Sequence, residues 1–329
     1  MASRSMRAVD IPVPGGPDAL VLVERPRPVP LAHEVLLRVE YAGVNRADAG
    51  QRAGRYPPPA GASPVPGLEC SGHVVEVGES VAGWRIGERA CALLTGGGYA
   101  EYVAVPEGQL LPIPHGVDMA GAAALPEAAC TVYSNLHDLV PPASASALVH
   151  GGSSGIGTFA IQWLSALGVA VHCTVGSAAK ADYCRGLGAA HVINYRDESF
   201  EHAVARETGG RGLDIVLDIV GGRYLAANLR ALAAEGHLVI IGTQGGSVAE
   251  VDLKELLRKR LTVRASTLRA RSDDAKTAIV EGVRRDVWPL VEAGRIRPHV
   301  DQVFSLADAA SAHRLLESSE HMGKLLLAL

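Results

Sequence analysis

Three things are scarce in this chain, and each scarcity removes a class of protein. Its five cysteines, Cys70, Cys91, Cys130, Cys173 and Cys184, are odd in number and include no C-x-x-C pair. That argues against a disulfide framework and for reduced thiols filling core positions in a reducing compartment. No stretch approaches the roughly 18 apolar residues of a membrane span, and Met1-Ala2-Ser3-Arg4-Ser5 is not followed by the apolar segment of a secretory signal, so a cytoplasmic protein with no membrane contact is expected. Excess charge is missing too. The 31 basic and 35 acidic residues are interspersed and leave a net charge of -4, which offers no broad positive field to nucleic acid or anionic lipid. Small molecules are the expected partners.

What is present is a globular composition, 48% hydrophobic and 20% charged, over 329 residues, a length that favours two structural units over one. Up to about Pro126 short β-like runs alternate with Gly and Pro: Val35 to Glu40, Gly72 to Val77, Ala90 to Leu94 and Tyr99 to Val105. This reads as a β-rich unit, a distorted barrel. Val140-Pro141-Pro142-Ala143-Ser144 reads as a surface turn. From Ala147 the rhythm changes to apolar runs at Ala147 to His150, Val169 to Val175, His191 to Asn194, Leu213 to Asp218, His237 to Ile241 and Leu261 to Ala265. Helical stretches lie between them, beginning with Ile156 to Leu167, and that alternation predicts a parallel, doubly wound sheet, hence an α/β chain. A charged helix from Ser272 to Ala293, a strand Val300 to Phe304, a helix Ala307 to Glu317 and a last strand Lys324 to Leu329 are expected to rejoin the first unit.

The run Ala147-Leu148-Val149-His150 leads into Gly152-x-x-Gly155-x-Gly157 and then an amphipathic helix. Strand, glycine turn and helix in that order suit a dinucleotide diphosphate. Glycines let the backbone approach the phosphates, and the helix start offers unpaired N–H groups and the positive end of its dipole. The spacing departs from strict GxGxxG, so the flanking strand and helix carry much of the weight. An acidic residue at the end of the second strand would hold a ribose 2′-hydroxyl. Here Val169 to Val175 runs instead into Gly176-Ser177-Ala178-Ala179-Lys180, a hydroxyl and a cation where a 2′-phosphate would lie, and Tyr195 after the third strand adds a second hydroxyl. Taken singly, Lys180 also reads as a solvated helix lysine and Tyr195 as a strand-end aromatic. Together they favour NADPH.

Several longer motifs carry a resemblance that covers nearly the whole chain. They include Asn45-Arg46-Ala47-Asp48, Gln51 through Pro59, Gly67-Leu68-Glu69-Cys70-Ser71-Gly72-His73, Leu94 through Tyr102, Ala124-Leu125-Pro126-Glu127-Ala128 and Gly323-Lys324. The chain resembles the zinc-independent quinone oxidoreductases of the medium-chain dehydrogenase/reductase superfamily, most closely their p53-inducible type. The resemblance implies a GroES-like catalytic domain over 1–127, a Rossmann NADPH domain over 128–265, a return to the catalytic domain over 266–329, and a homodimer paired through the cofactor domains. In the wider family a Gly-Gly pair stands where this chain has Ser154-Gly155, and serine at the first of these positions recurs in the p53-inducible type.

The same resemblance implies that Asn45 and Leu68 stand where zinc-dependent relatives carry a ligand cysteine and histidine. An amide and an isobutyl group cannot replace those ligands, so no metal is expected. Without a Lewis acid, an acceptor that is already electrophilic, a quinone or an enone, suits the chemistry better than an alcohol. The site residues implied are Asn45, Asp48 and Tyr56 on the substrate side. On the cofactor side they are Thr131, Gly152, Ser154, Gly155, Ile156, Gly157, Ser177, Lys180, Tyr195, Gly242, Leu268 and Lys324. Asp48 also reads as a helix cap, Tyr56 as packing against Pro57 to Pro59, and Thr131 as a buried helix hydroxyl. NADPH-dependent quinone reduction is the leading reading. An enone or enoyl double-bond reductase, or a non-catalytic NADPH-binding or redox-sensing protein, are the alternatives.

Overall fold

In the computed structural model the described residues are 5–139 and 145–329, so the expected turn Val140-Pro141-Pro142-Ala143-Ser144 lies outside them. They divide into two units: residues up to Cys130 with Leu268–Leu329, and Thr131–Thr267.

The first unit is organised by one long strand. β1 (Ser5–Asp10) and β2 (Val21–Pro26) pair with each other, and β3 (Glu34–Val44), β4 (Glu69–Val77), β5 (Arg89–Leu93), β6 (Tyr102–Pro106) and β7 (Leu110–Pro112) follow. After the second unit, which holds β8 to β13, the chain adds β14 (Val300–Ser305) and β15 (Lys324–Ala328), giving the order β14-β15-β3-β4-β5-β7 with β6 also on β3. β3 serves three neighbours because it changes face part-way. Val35, Leu37 and Val39 point into the core, the register against β4 shifts between Val39 and Tyr41, and Ala42 and Val44 then take over. An extra residue in one strand switches the alternation in this manner. The chain reaches Asn45 immediately beyond, at the start of the helix Arg46–Arg52.

A polar thread crosses this core. Arg52, paired with Glu317, donates from Nη1 to His313 Nδ1 at 3.2 Å, the His313 Nε2 and Tyr99 hydroxyl are 3.1 Å apart, and the Tyr99 hydroxyl donates to Asp48 Oδ2 at 3.3 Å. Burial and the Arg52 charge pull His313 down to about 3, so its ring is neutral. With Arg52 occupying Nδ1 as acceptor, Nε2–H donates to Tyr99, and every proton in the thread has one direction.

In the second unit β8 (Ser146–Val149), β9 (Ala170–Val175), β10 (His191–Asn194), β11 (Leu213–Asp218), β12 (Leu232–Ile240) and β13 (Thr262–Ala265) are all parallel in the order β10-β9-β8-β11-β12-β13. The order reverses between β8 and β11. In such sheets ligands bind outside the carboxyl ends of the strands at that switch point.

Among the boundaries that differ from those read in the sequence, three bear on the packing. β12 begins at Leu232 rather than His237, its early part carrying Glu235 at φ 63°. The helix expected over Ser272 to Ala293 is two, Asp273–Asp286 and Trp288–Glu292, because Pro289 sits in the first turn of the second, where its missing N–H costs no helical bond. The strand expected from Tyr99 starts at Tyr102, Tyr99 being drawn into the thread above.

Tyr99→Phe removes the hydroxyl that receives from His313 and donates to Asp48. It is expected to cost about 1–3 kcal/mol in urea unfolding, and an unchanged unfolding midpoint would show that the thread contributes nothing to stability.

Candidate active site

In the second unit the site is built on the turn after β8. Gly151 has φ 69°, a left-handed conformation that suits glycine. A Cβ on Gly157 would lie 2.3 Å from the Gly151 carbonyl oxygen, and one on Gly152 would lie 2.8 Å from Cys173 Sγ. Both glycines therefore let the helix start fold back tightly on the turn. Ser154 is the N-cap of the helix Gly155–Ala166, its hydroxyl accepting from Gly157 N–H at 3.0 Å. That gives a physical reason for serine at this position. The N–H groups of Gly155 and Ile156, at the helix start, take no partner among the described residues. The loops after β11 and β12 close up beside the turn: a Cβ on Gly242 would lie 2.9 Å from the Ile219 carbonyl oxygen.

The turn is held from behind by His150, which is buried. Its Nε2 lies 2.7 Å from Asn228 Oδ1 and its Nδ1 3.1 Å from the Thr174 hydroxyl, and that hydroxyl oxygen accepts from Gly151 N–H at 3.2 Å. Burial pulls His150 down to about 4, the Asn228 contact opposing it. The ring is neutral, Nε2–H donates to Asn228 and Thr174 donates to Nδ1.

After β9, Ser177 caps the helix Ala178–Gly186 by accepting from Lys180 N–H, and the Tyr195 ring lies over Gly176, where a Cβ would be 2.5 Å from its hydroxyl oxygen. Ser177 and Tyr195 therefore lie on either side of Gly176 at the ends of two neighbouring strands, and Lys180 is in the first turn of the helix that Ser177 caps. Thr131 is the i+4 neighbour of Glu127 along the helix Pro126–Leu136.

The remaining expected residues lie in the first unit. Asn45 Nδ2 donates to Glu69 Oε1 at 3.0 Å and more weakly to the Gly43 carbonyl, and its Oδ1 accepts from Lys324 Nζ at 2.6 Å. Lys324 also ion-pairs with Glu69. Asn45 and Lys324 are therefore committed to Glu69, and the Asn45 amide has no strong donor left for a substrate carbonyl. Asp48 is a cap: its carboxylate accepts from Asn45 N–H at 2.8 Å, from Gly67 N–H at 2.9 Å and from Tyr99. Burial pushes it up to about 6, those N–H donors, Lys324 and Arg269 pulling down. Leu268 is buried. Tyr56 is half-buried, with Arg269 5.6 Å over its ring, and its hydroxyl makes no hydrogen bond among the described residues.

Three residues carry roles that the sequence did not assign to them. Arg269, buried, donates to the Thr95 carbonyl, the Tyr56 carbonyl and Gln51 Oε1, so it holds the Tyr56 loop. Glu69 is fully buried. Glu127 opens the helix Pro126–Leu136, its N–H donating to Glu69 Oε2 at 2.9 Å. A charged residue inside a Gly-rich strand motif is a faint signal for Glu69; nothing local marks the other two.

The His150 ring titrates at about 4 when folded and near 6.5 when unfolded, so the stability it contributes is complete above about 6.5 and is lost as pH falls toward about 4. His150→Gln is expected to flatten that part of the pH dependence by on the order of 2–3 kcal/mol, read by urea unfolding at stepped pH without cofactor. Parallel curves for the two proteins would show that the folded ring takes up its proton normally.

Comparison with known proteins matches this geometry. The alcohol dehydrogenase GroES-like domain model matches residues 31–115 and a zinc-binding dehydrogenase model matches residues 187–327. A quinone oxidoreductase of Pseudomonas aeruginosa is 33% identical over 95% of this chain and 96% of its own. The Escherichia coli quinone oxidoreductase complexed with NADPH superposes with a TM-score of 0.89 at 30% identity, over 98% of this chain and 100% of its own. A mycobacterial protein complexed with NADPH gives 0.90 at 29% identity, with the same coverage. A GroES-like unit joined to a Rossmann-type parallel sheet, and full-length similarity at this level, place the chain in the quinone oxidoreductase family of the medium-chain dehydrogenase/reductase superfamily.

Proposed function

We propose that the protein reduces quinones with NADPH and without zinc. The observation that carries the zinc-free part is the engagement of Asn45. At a position where the family resemblance would put a metal ligand in zinc enzymes, its amide is bonded to Glu69 and Lys324, and Leu68 offers no donor atom. Among the described residues no group of three or more His, Cys, Asp or Glu side chains is arranged to hold a metal ion. NADPH is supported by the relatives crystallised with it and by the turn itself, where the Gly155 and Ile156 N–H groups at the helix start take no partner among the described residues.

When bound, NADPH supplies the hydride. The chain's own residues bind and orient: Gly152, Ser154, Gly155, Ile156 and Gly157 present the open helix start to the diphosphate, and Ser177, Lys180 and Tyr195 take the 2′-phosphate. The family resemblance adds Thr131, Gly242 and Leu268 to the cofactor side, whereas Lys324, which it also implies there, is engaged by Glu69 and Asn45. Tyr56, steadied by Arg269, offers ring and hydroxyl to the acceptor, while Asn45 and Asp48 fix the helix start beneath it.

A homodimer in the cytoplasm completes the proposal. Val263 is exposed on β13, the edge strand of the second unit's sheet, and Val248, Leu253 and Leu257 are exposed on the loop and helix that lead into it, apolar surface that suits pairing with a second copy. Sedimentation at micromolar concentration should give twice the chain mass, and Leu257→Asp the single mass; a monomeric wild type would remove the dimer.

A panel of ortho- and para-quinones and conjugated enones, followed by NADPH consumption, tests the reaction. Quinone turnover is expected, and enone reduction with no quinone consumed would replace it by the double-bond reductase reading. Lys180→Ala should raise the Michaelis constant for NADPH by ~10–100-fold, the worth of one charge-assisted phosphate contact, with NADH little changed. Equal losses for both cofactors would take Lys180 out of the 2′-phosphate pocket.

A further inference from the structure

Reduction of a quinone to its hydroquinone takes two electrons and two hydrogens. NADPH gives up both electrons and one hydrogen as hydride, leaving NADP+. The second hydrogen has to reach a quinone oxygen as a proton, and a group already carrying that proton at neutral pH serves best.

The polar side chains around Tyr56 are nearly all spoken for. Asn45 and Lys324 bond to Glu69, Arg269 is spent on Thr95, Tyr56 and Gln51, Lys276 donates to the Thr95 hydroxyl, and Asp48 caps a helix. Glu127 differs. Its main-chain N–H is fixed to Glu69 Oε2, which sets where the side chain starts, yet its carboxyl makes no hydrogen bond among the described residues. It lies close enough to Tyr56 to perturb that phenol, and the charges that face it are Glu69, Asp48, Lys324, Arg269 and Lys276, with the Cys130 thiol beside them.

Resting on the quinone-reductase reading, we infer that Glu127 is the acid that protonates the quinone oxygen as the hydride arrives. The O–H bond of the Glu127 carboxyl breaks, a new O–H bond forms on the substrate, the carboxylate is left behind, and water returns a proton to it after the product leaves. Glu127 is suited to this because it is held in place through its backbone while its side chain stays uncommitted. Burial, and then the fixed negative charge of Glu69, push the carboxyl up to about 8, with Lys324 and Arg269 opposing. It is therefore protonated when a reaction cycle begins at neutral pH.

Glu127→Gln keeps the shape and the neutral charge and removes the transferable proton. With the best quinone found, wild-type kcat is expected to fall as pH rises through about 8, and the variant to lose that limb together with ~100-fold of kcat at pH 7. Its NADPH affinity should be unchanged. An independent readout needs no turnover: difference infrared titration of the cofactor-free protein should show a protonated-carboxyl band that disappears near pH 8 in wild type and is missing from Glu127→Gln. Quinone turnover by wild type with kcat and pH profile unaltered in the variant would overturn this assignment alone. Failure of wild type on every quinone would overturn the functional reading and this inference with it.

Discussion

The first unit depends on one buried carboxylate. Glu69 opens β4 with no exposure, and its two oxygens take the Asn45 amide from the end of β3, the Lys324 ammonium from the start of β15, and the Glu127 N–H from the start of a helix. Four pieces of chain far apart in sequence are tied at one residue. A buried ion pair alone roughly breaks even against its desolvation. Here the amide and the main-chain donor satisfy the remaining lone pairs, and that completeness makes the tie favourable. It also dictates a neighbour: a Cβ on Gly43 would fall 2.2 Å from Glu69 Oε1, so β3 needs glycine opposite the carboxylate.

The tie has an electrostatic consequence for chemistry. Burial first, and then the neighbouring Glu69 carboxylate, penalise ionisation of Glu127 and push it up to about 8. Two cations stand close, but Arg269 spends its guanidinium on carbonyl and amide oxygens that shape the Tyr56 loop, and Lys324 is already matched by Glu69. Charges used as architecture thus leave one acid neutral beside a half-buried tyrosine. The two carboxyls differ in their bonding: Glu69 is an anchor with every oxygen engaged, and Glu127 is uncommitted.

How much of this could be read in the sequence follows from how local each feature is. The glycine turn was legible because its spacing, strand and helix all fall within about twenty residues, and the structure adds only why each residue is there: Ser154 as cap, Gly157 for a carbonyl, Gly152 for a thiol. The closeness of Tyr195 to Gly176 needed only the strand order β10-β9-β8. Glu127 was invisible because its character comes from Glu69, Lys324 and Arg269, up to nearly two hundred residues away in the chain. Lys276 is a related case. A charged helix reads as solvated, yet this lysine is buried and donates to Thr95. Even the helix break at Val287 was written locally, in Pro289, but a strong charged pattern on both sides masked it.

The cysteines bear on what else the protein could be. A thiol-based redox sensor needs an accessible thiol whose pKa is lowered by positive charge or a helix start. All five thiols are free and buried, and burial pushes Cys70, Cys91 and Cys130 above the ordinary thiol range, with Glu69 adding to each. Cys173 is pushed up as well, first by its contact with Cys184, and these two form the wall against which Gly152 packs. Burial, with Glu69 adding to it, therefore raises both Glu127 and the thiols around it. Sulfur in this chain fills space behind the cofactor turn and within the sheet, and the reactivity that the structure supports belongs to a carboxylic acid.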